Sequence, residues 1–177
     1  PADPDGLAFW SRQVEAAGGD IAAVTGVFAQ SAEALLRFGD TPLAERIAGI
    51  YDSLFSRAPE ASGLQFWIQA VNQGDISLAD LSLAILHGAQ GSDRDLAMLR
   101  LDAANLFTAQ VAATGSDYTG YAALEAGRVL LRAVTPDTSA DDLPALVASS
   151  LVFADVASDH PAVVEAVVIG KPDPERT

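Results

Sequence analysis

Apolar residues recur at helical spacing along almost the whole chain. Leu7, Trp10 and Val14 stand at i, i+3 and i+7, one face of a helix predicted over residues 2–17. Gly18-Gly19 ends that stripe, and Asp20 is placed to cap a second helix. Its inward positions are Ile21, Val24, Phe28 and Leu35, with a stop near Gly39-Asp40. Thr41-Pro42 predicts a cap followed by proline in the first helical position, supported by Glu45. Leu43, Ile47, Ile50, Leu54 and Phe55 then mark a strongly amphipathic helix. Pro59 and Glu60 open the next, whose apolar face is Leu64, Trp67, Ile68 and Val71. After the turn Asn72-Gln73-Gly74-Asp75, Ser77 and Asp80 form a capping-box variant, and Leu78, Leu81 and Ile85 point inward.

A long helix over residues 92–113 should bury Leu96, Leu99, Leu106, Phe107 and Val111. Two more are expected, over residues 118–133 and 140–157. His160-Pro161 starts a short last turn through Val168, and KPDPERT reads as a disordered tail. The β-branched clusters Val163-Val164 and Val167-Val168-Ile169 are too short for strands. The expected fold is all-α.

The clearest feature is a repeat. Gly6, Leu7, Phe9 and Trp10 return 57 positions later as Gly63, Leu64, Phe66 and Trp67. In each copy a glycine-containing turn and Asp-Ile follow, at Asp20-Ile21 and Asp75-Ile76. A helical hairpin cannot bury its apolar face alone, so repeated hairpins pack on their neighbours. Glycine in a first helical turn lowers helix propensity, which suggests a close crossing there. The architecture expected is two repeated helical hairpins packed with a C-terminal helical segment. Its parts are a first repeat over 1–40, truncated at its start, a second over 41–91, a companion segment over 92–168 and a tail over 169–177.

The stretch RAPEASGLQFWIQAVNQGDISLADL resembles the helical repeat domain of unknown function found in large bacterial secreted and surface proteins, with the pattern G-R-x-P-D-x-x-G-L-x-Y-W. Arg57, Pro59, Gly63, Leu64 and Trp67 match, as does Ser31-Ala32-Glu33 at the end of the first copy. Phe9 and Phe66 replace the usual Tyr, and Ser56 stands where the pattern often has Gly. Asn105-Leu106-Phe107-Thr108 and LLRAVTPDTSADDL resemble the companion segment, so the likeness covers residues 1–145. That family occurs beside RTX-type calcium repeats and in S-layer-like proteins, and has a distant likeness to phycobilisome linker domains. The resemblance implies a secreted or cell-surface interaction module, exported by a type I system without an N-terminal signal. The second copy is preceded by the 43–55 helix. A counterpart is therefore expected upstream of the first, making Phe9 more exposed than Phe66.

Composition narrows the function further. Twenty-four acidic residues face ten basic ones, a net charge of −14. The nine arginines are scattered, and Lys171 is the sole lysine. Such a chain repels phosphate backbones and anionic lipid, which disfavours nucleic-acid partners. No apolar run reaches the roughly 18 residues that cross a bilayer, so no membrane insertion is expected. The absence of cysteine excludes disulfides, thiol catalysis and Cys-based zinc sites. PADPD, the first five residues, has neither the basic nor the apolar region of a signal peptide.

Candidate chemistry is sparse. Asp3-Pro4-Asp5-Gly6 fails as a calcium loop, because Gly6 at position six would place Pro1 and Arg12 at positions one and twelve. It reads instead as a helix N-terminus. Trp10 and Trp67 suggest carbohydrate stacking, yet their spacing with Leu and Val makes them core residues expected to be largely buried. Tyr118 and Tyr121 lie in a break and are better placed for exposure. His87 and His160 are too far apart in sequence to suggest a zinc site or a dyad, and His87 suits a helix end. Asp141-Asp142 are adjacent and diverge on a helix. No hydrolase, metalloprotease, P-loop or dinucleotide motif is present.

The expectation is therefore a noncatalytic interaction or anchoring module of an exported bacterial protein. It would act outside the cell or at its surface, with a glycan or protein partner and without cofactor or metal. The alternatives are an intracellular scaffold or linker domain and, in third place, a glycan hydrolase using paired carboxylates.

Overall fold

The computed structural model describes residues 3–29, 41–115 and 120–159. Among these residues the protein is all-α, with eight α-helices, one short 3-10 turn and no strand. They divide into two compact units, one of Asp5–Met98 and one of Asp3, Pro4 and the described residues from Leu99 onward. The turn expected through Val168 and the tail over 169–177 fall outside the described residues, as do Leu35 and the Phe28 side chain.

The first unit contains α1 (Pro4–Ala16), α2 (Ile21–Ala29), α3 (Leu43–Phe55), α4 (Ala61–Gln73), α5 (Leu81–His87) and the beginning of α6 (Gly91–Thr114). Its core is Ile47 and Phe55 of α3, Leu81 and Ile85 of α5, Ala89, and Ala97 of α6. Leu43, Ile50, Leu64, Trp67, Ile68 and Val71 pack around that core half-buried. The apolar stripes read from the sequence on α3 and α4 are thus the faces these helices bury. Each fully buried side chain of this size contributes about 1.5–3 kcal/mol.

Pro42 sits one position, and Pro59 two positions, ahead of the helix that each was expected to open. Pro42 precedes α3 with φ −56° and ψ 144°, and its carbonyl accepts the Arg46 N–H at 3.0 Å. Glu60 is the extended residue before α4, so Pro59 also lies outside the helix. Proline there fixes the entering chain without removing a helical donor.

The two glycine turns begin alike and then part. Gly19 (φ 88°) follows α1, and Gly74 (φ 80°) caps α4, both in the left-handed region that glycine enters without steric cost. Asp20 then accepts the Ala22 N–H at 2.9 Å and starts α2 at once. Asp75 is followed by a further turn, in which Ser77 Oγ accepts the Asp80 N–H at 3.1 Å and donates to Asp80 Oδ2 at 2.6 Å. Thr25 of α2 donates to Asp80 Oδ1 at 2.6 Å, tying the first copy to the second. The Ser77 hydroxyl, and after it that of Thr25, hold the Asp80 carboxyl below its usual value. The extra turn delays α5 to Leu81, and Leu78, expected inward, is exposed.

Ser56 ends α3 with φ 54° and ψ 34°, and it is the sole described non-glycine residue with positive φ. It occupies the position where the resembled pattern carries Gly. A left-handed backbone costs a residue with a Cβ roughly 1–2 kcal/mol. Ser56→Gly should therefore raise stability by about 1 kcal/mol, or about 2–4 °C in thermal midpoint. An unchanged midpoint would show that the serine's own contacts offset the strain.

The second unit holds the rest of α6, then α7 (Gly120–Ala133), a 3-10 turn (Ala140–Asp142) and α8 (Leu143–Asp159). α7 and α8 pack against each other. Ala103, Phe107, Val111, Ala126, Leu130, Val134, Leu143 and Val147 are its buried apolar residues. Leu99 and Leu106, expected in the core, are only half-buried. Arg100 takes a place on the buried face of α6 instead, donating from Nε and Nη2 to the Val134 carbonyl at 3.2 and 3.1 Å. Glu125 is also buried and pairs with Arg128 one turn along α7. Ser139 and Asp142 form a capping box ahead of α8, and the Ser139 bonds lower the Asp142 pKa.

Candidate functional site

The GLQFW copy is the best-organised group of polar and aromatic side chains in the first unit. On α3, Tyr51 and Phe55 are four residues apart and therefore share a face. Their rings meet edge to face, with centroids 5.4 Å apart at 79°. Trp67 of α4 donates its Nε1–H to Tyr51 Oη at 3.0 Å. That bond satisfies the one polar atom of a Trp whose ring packs on the core. Phe66 stands edge-on to Trp67, with centroids 4.9 Å apart at 74°.

Arg57 closes the group from the other side. Leaving α3 through the left-handed Ser56, its guanidinium lies 5.4 Å from the centre of the Tyr51 ring and 6.0 Å from that of Phe55. It also forks onto Asp93, with Nε to Oδ1 at 2.9 Å and Nη2 to Oδ2 at 2.5 Å, while Nη1 donates to the Ala58 carbonyl. The Asp93 bond raises the Arg57 pKa further. Arg57 is 41% exposed, so water screens the pair, and it is worth about 1 kcal/mol or less. Its effect is geometric: it pins the 56–60 connection over the aromatic rings and against the first turn of α6.

Trp67 and Trp10 were both expected to be largely buried, and both are half-buried. Each Trp is half of a Phe–Trp pair, since Phe9 and Trp10 also meet edge-on, at 5.1 Å and 84°. The expected order of exposure of the two phenylalanines is reversed. Phe66 is 59% exposed and Phe9 46%. The cause is angular: Phe66 precedes Trp67 by about 100° of helix rotation. With Leu64, Trp67, Ile68 and Val71 turned to the core, Phe66 points to solvent, and α3 does not cover it.

The remaining candidates do not assemble into a site. Asp3-Pro4-Asp5-Gly6 is the beginning of α1, with Asp5 in its first turn. His87 is exposed in the last turn of α5, and Asp142 is engaged as a cap. Tyr118 and His160 lie outside the described residues, as does the Tyr121 side chain. Among the described residues no three His, Asp or Glu side chains gather as a metal would require. None of the described helices is long and apolar enough to cross a membrane. Gly63, expected at a close helix crossing, has the Tyr51 hydroxyl as its neighbour; a Cβ there would lie 3.6 Å from it, an ordinary contact.

Sequence reasoning missed Tyr51, Arg100, Glu125 and the Arg57–Asp93 pair. The i, i+4 spacing of Tyr51 and Phe55 was a usable signal. Asp93, far along the chain from Arg57, carried none.

The fold and the cluster define an all-α protein with one Phe–Trp pair on α1 and another on α4. No family model, curated protein or solved structure matches the chain.

Proposed function

We propose that this chain is a noncatalytic interaction or anchoring module of an exported bacterial cell-surface or extracellular protein. The observation that carries the reading is Phe66, 59% exposed yet held edge-on by a Trp that is itself hydrogen-bonded to Tyr51. An exposed aromatic fixed by its neighbours loses little side-chain freedom on binding, as contact anchors require. Phe9 beside Trp10 offers a second contact of the same kind. Aromatic faces of this sort stack on sugar rings, and the acidic surface suits an uncharged glycan better than a polyanion. Of the residues that carry the resemblance to secreted and surface repeat domains, Arg57 and Trp67 belong to this cluster, Gly63 adjoins the Tyr51 hydroxyl and Leu64 packs on the core beneath it.

The test is a glycan array, together with retention on purified bacterial cell-wall polysaccharide. The wild-type chain should be retained. Phe66→Ala and Phe9→Ala should each weaken retention about tenfold, the equivalent of 1.4 kcal/mol. Their folding stability should stay within about 0.5 kcal/mol of wild type, because both rings are largely exposed. No retention by the wild-type chain would favour the scaffold or linker reading. Retention unaffected by both substitutions would remove the aromatic pairs from the contact.

A further inference from the structure

The outer face of α4 is polar but uncharged. Ser62, Gln65, Phe66, Gln69, Asn72 and Gln73 are all exposed. No residue of Ala61–Gln73 is charged, whereas α1, α3, α6, α7 and α8 all carry charges and the chain as a whole carries −14. At about 100° per residue, Ser62, Phe66, Gln69 and Gln73 fall within about 60° of one another and form a ridge about 16 Å long. Gln65 and Asn72 border that ridge on one side, and the buried Ala70 on the other. None of its hydroxyl and amide groups has a hydrogen-bond partner among the described residues. The first copy keeps the Phe–Trp pair but not the ridge, since Asp5, Arg12 and Glu15 stand where α4 has Ser62, Gln69 and Asn72.

We infer that this ridge is the binding subsite for an uncharged oligosaccharide, with Phe66 stacking on a sugar ring and Gln69 and Gln73 selecting it through its hydroxyl groups. The inference rests on the interaction-module reading and deepens it by naming the ligand class and the residues that choose it. A sugar hydroxyl donates and accepts at once, and a primary amide carries both functions side by side. Carboxylates accept only and guanidinium groups donate only, so neither matches a run of hydroxyls by itself. A charge covered by a neutral ring would also lose hydration with no opposite charge in return. The uncharged ridge avoids that loss on a chain whose acids otherwise stand in excess. Its neutrality gives a polyanion or a basic peptide nothing on this helix to pair with. A partner helix would need an apolar stripe to dock on, and of these six exposed side chains only Phe66 is apolar. The length of the ridge fits a short linear oligosaccharide rather than a single ring.

The test applies the full chain to immobilised neutral gluco-, manno- and galacto-oligosaccharides, beside oligouronates of matched length. Wild type should be retained on at least one neutral series, more strongly on its longer members than on the disaccharide. Retention should be equal in about 0.1 and about 1 M NaCl, because no charge is being screened. Gln69→Ala combined with Gln73→Ala should weaken it about tenfold. Gln69→Glu combined with Gln73→Glu keeps the shape but removes the donors, and should weaken it at least as much. Gln90→Ala, exposed and off the ridge, should change nothing. All of these side chains are exposed, so melting midpoints should stay within about 2 °C of wild type. Should a double variant melt earlier than that, Gln69→Ala alone decides. Neutral-sugar retention that survives both double variants would overturn the inference and leave the glycan contact through Phe66 standing. Retention confined to oligouronates, or lost at the higher salt, would overturn it in the same way. Absence of retention on every oligosaccharide would overturn the inference together with the glycan reading beneath it.

Discussion

Phe107→Ala should lower the stability of the second unit by about 3–5 kcal/mol, the usual cost of deleting a fully buried phenyl ring. Phe107 has no exposed surface and lies on the face of α6 that also carries Ala103 and Val111. Replacing it leaves a cavity that the surrounding helices cannot close without moving their own side chains. At this chain length the thermal midpoint should fall by roughly 10 °C when followed by far-UV circular dichroism. Met98 and Leu101 are the internal comparison: both are exposed on the same helix, so Ala at either should stay within about 0.5 kcal/mol of wild type. A Phe107→Ala midpoint as close to wild type as those two would mean that Phe107 does not anchor this core.

That helix also shows where pattern reading loses its grip. Its buried face carries Leu96, Arg100, Ala103, Phe107 and Val111, a regular helical stripe with an arginine in it. An arginine normally marks solvent, and the exposed Met98 and Leu101 mark core. The pattern therefore blurs although the helix itself is unmistakable. Arg100 is tolerated inside because it donates to the Val134 carbonyl, an acceptor 34 residues away that no local spacing reveals. Glu125 is a similar case, since its partner Arg128 could be read from the i, i+3 spacing but its burial could not.

By contrast α3 and α4 were legible almost to the residue, because their stripes are purely apolar and each buries one face. The aromatic group was legible in part. The repeated GLxFW motif pointed to the right helices, while the sharing of roles within it did not follow. Which of two adjacent aromatics faces solvent depends on the rotation of α4, and that is set by Leu64, Ile68 and Val71 together. At the Asp75 turn the local reading of a Ser77–Asp80 pair holds, whereas the bond from Thr25 to Asp80, 55 residues along the chain, had no local signal.

Ile47→Ala should be the corresponding change in the first unit, with a cost of about 2–5 kcal/mol. Ile47 is fully buried in the core formed with Leu81, Ile85 and Phe55, and it lies on α3, the helix that carries Tyr51. Removing three carbons there loosens α3 against α4 and α5 together. The change should thus reach the aromatic cluster as well as the melting curve. Tyr51 holds Trp67 through a single 3.0 Å hydrogen bond, and a bond of that kind weakens steeply as the donor and acceptor separate. Trp67 emission, read in a Trp10→Phe background, should therefore move to the red as its ring gains water. Phe66→Ala should leave the melting midpoint almost unchanged and shift Trp67 emission far less. The two substitutions separate what holds the cluster from what it presents. If Ile47→Ala costs the expected stability but leaves Trp67 emission unchanged, then α4 holds its tryptophan without help from α3, and the Tyr51 bond is incidental to the exposed pair.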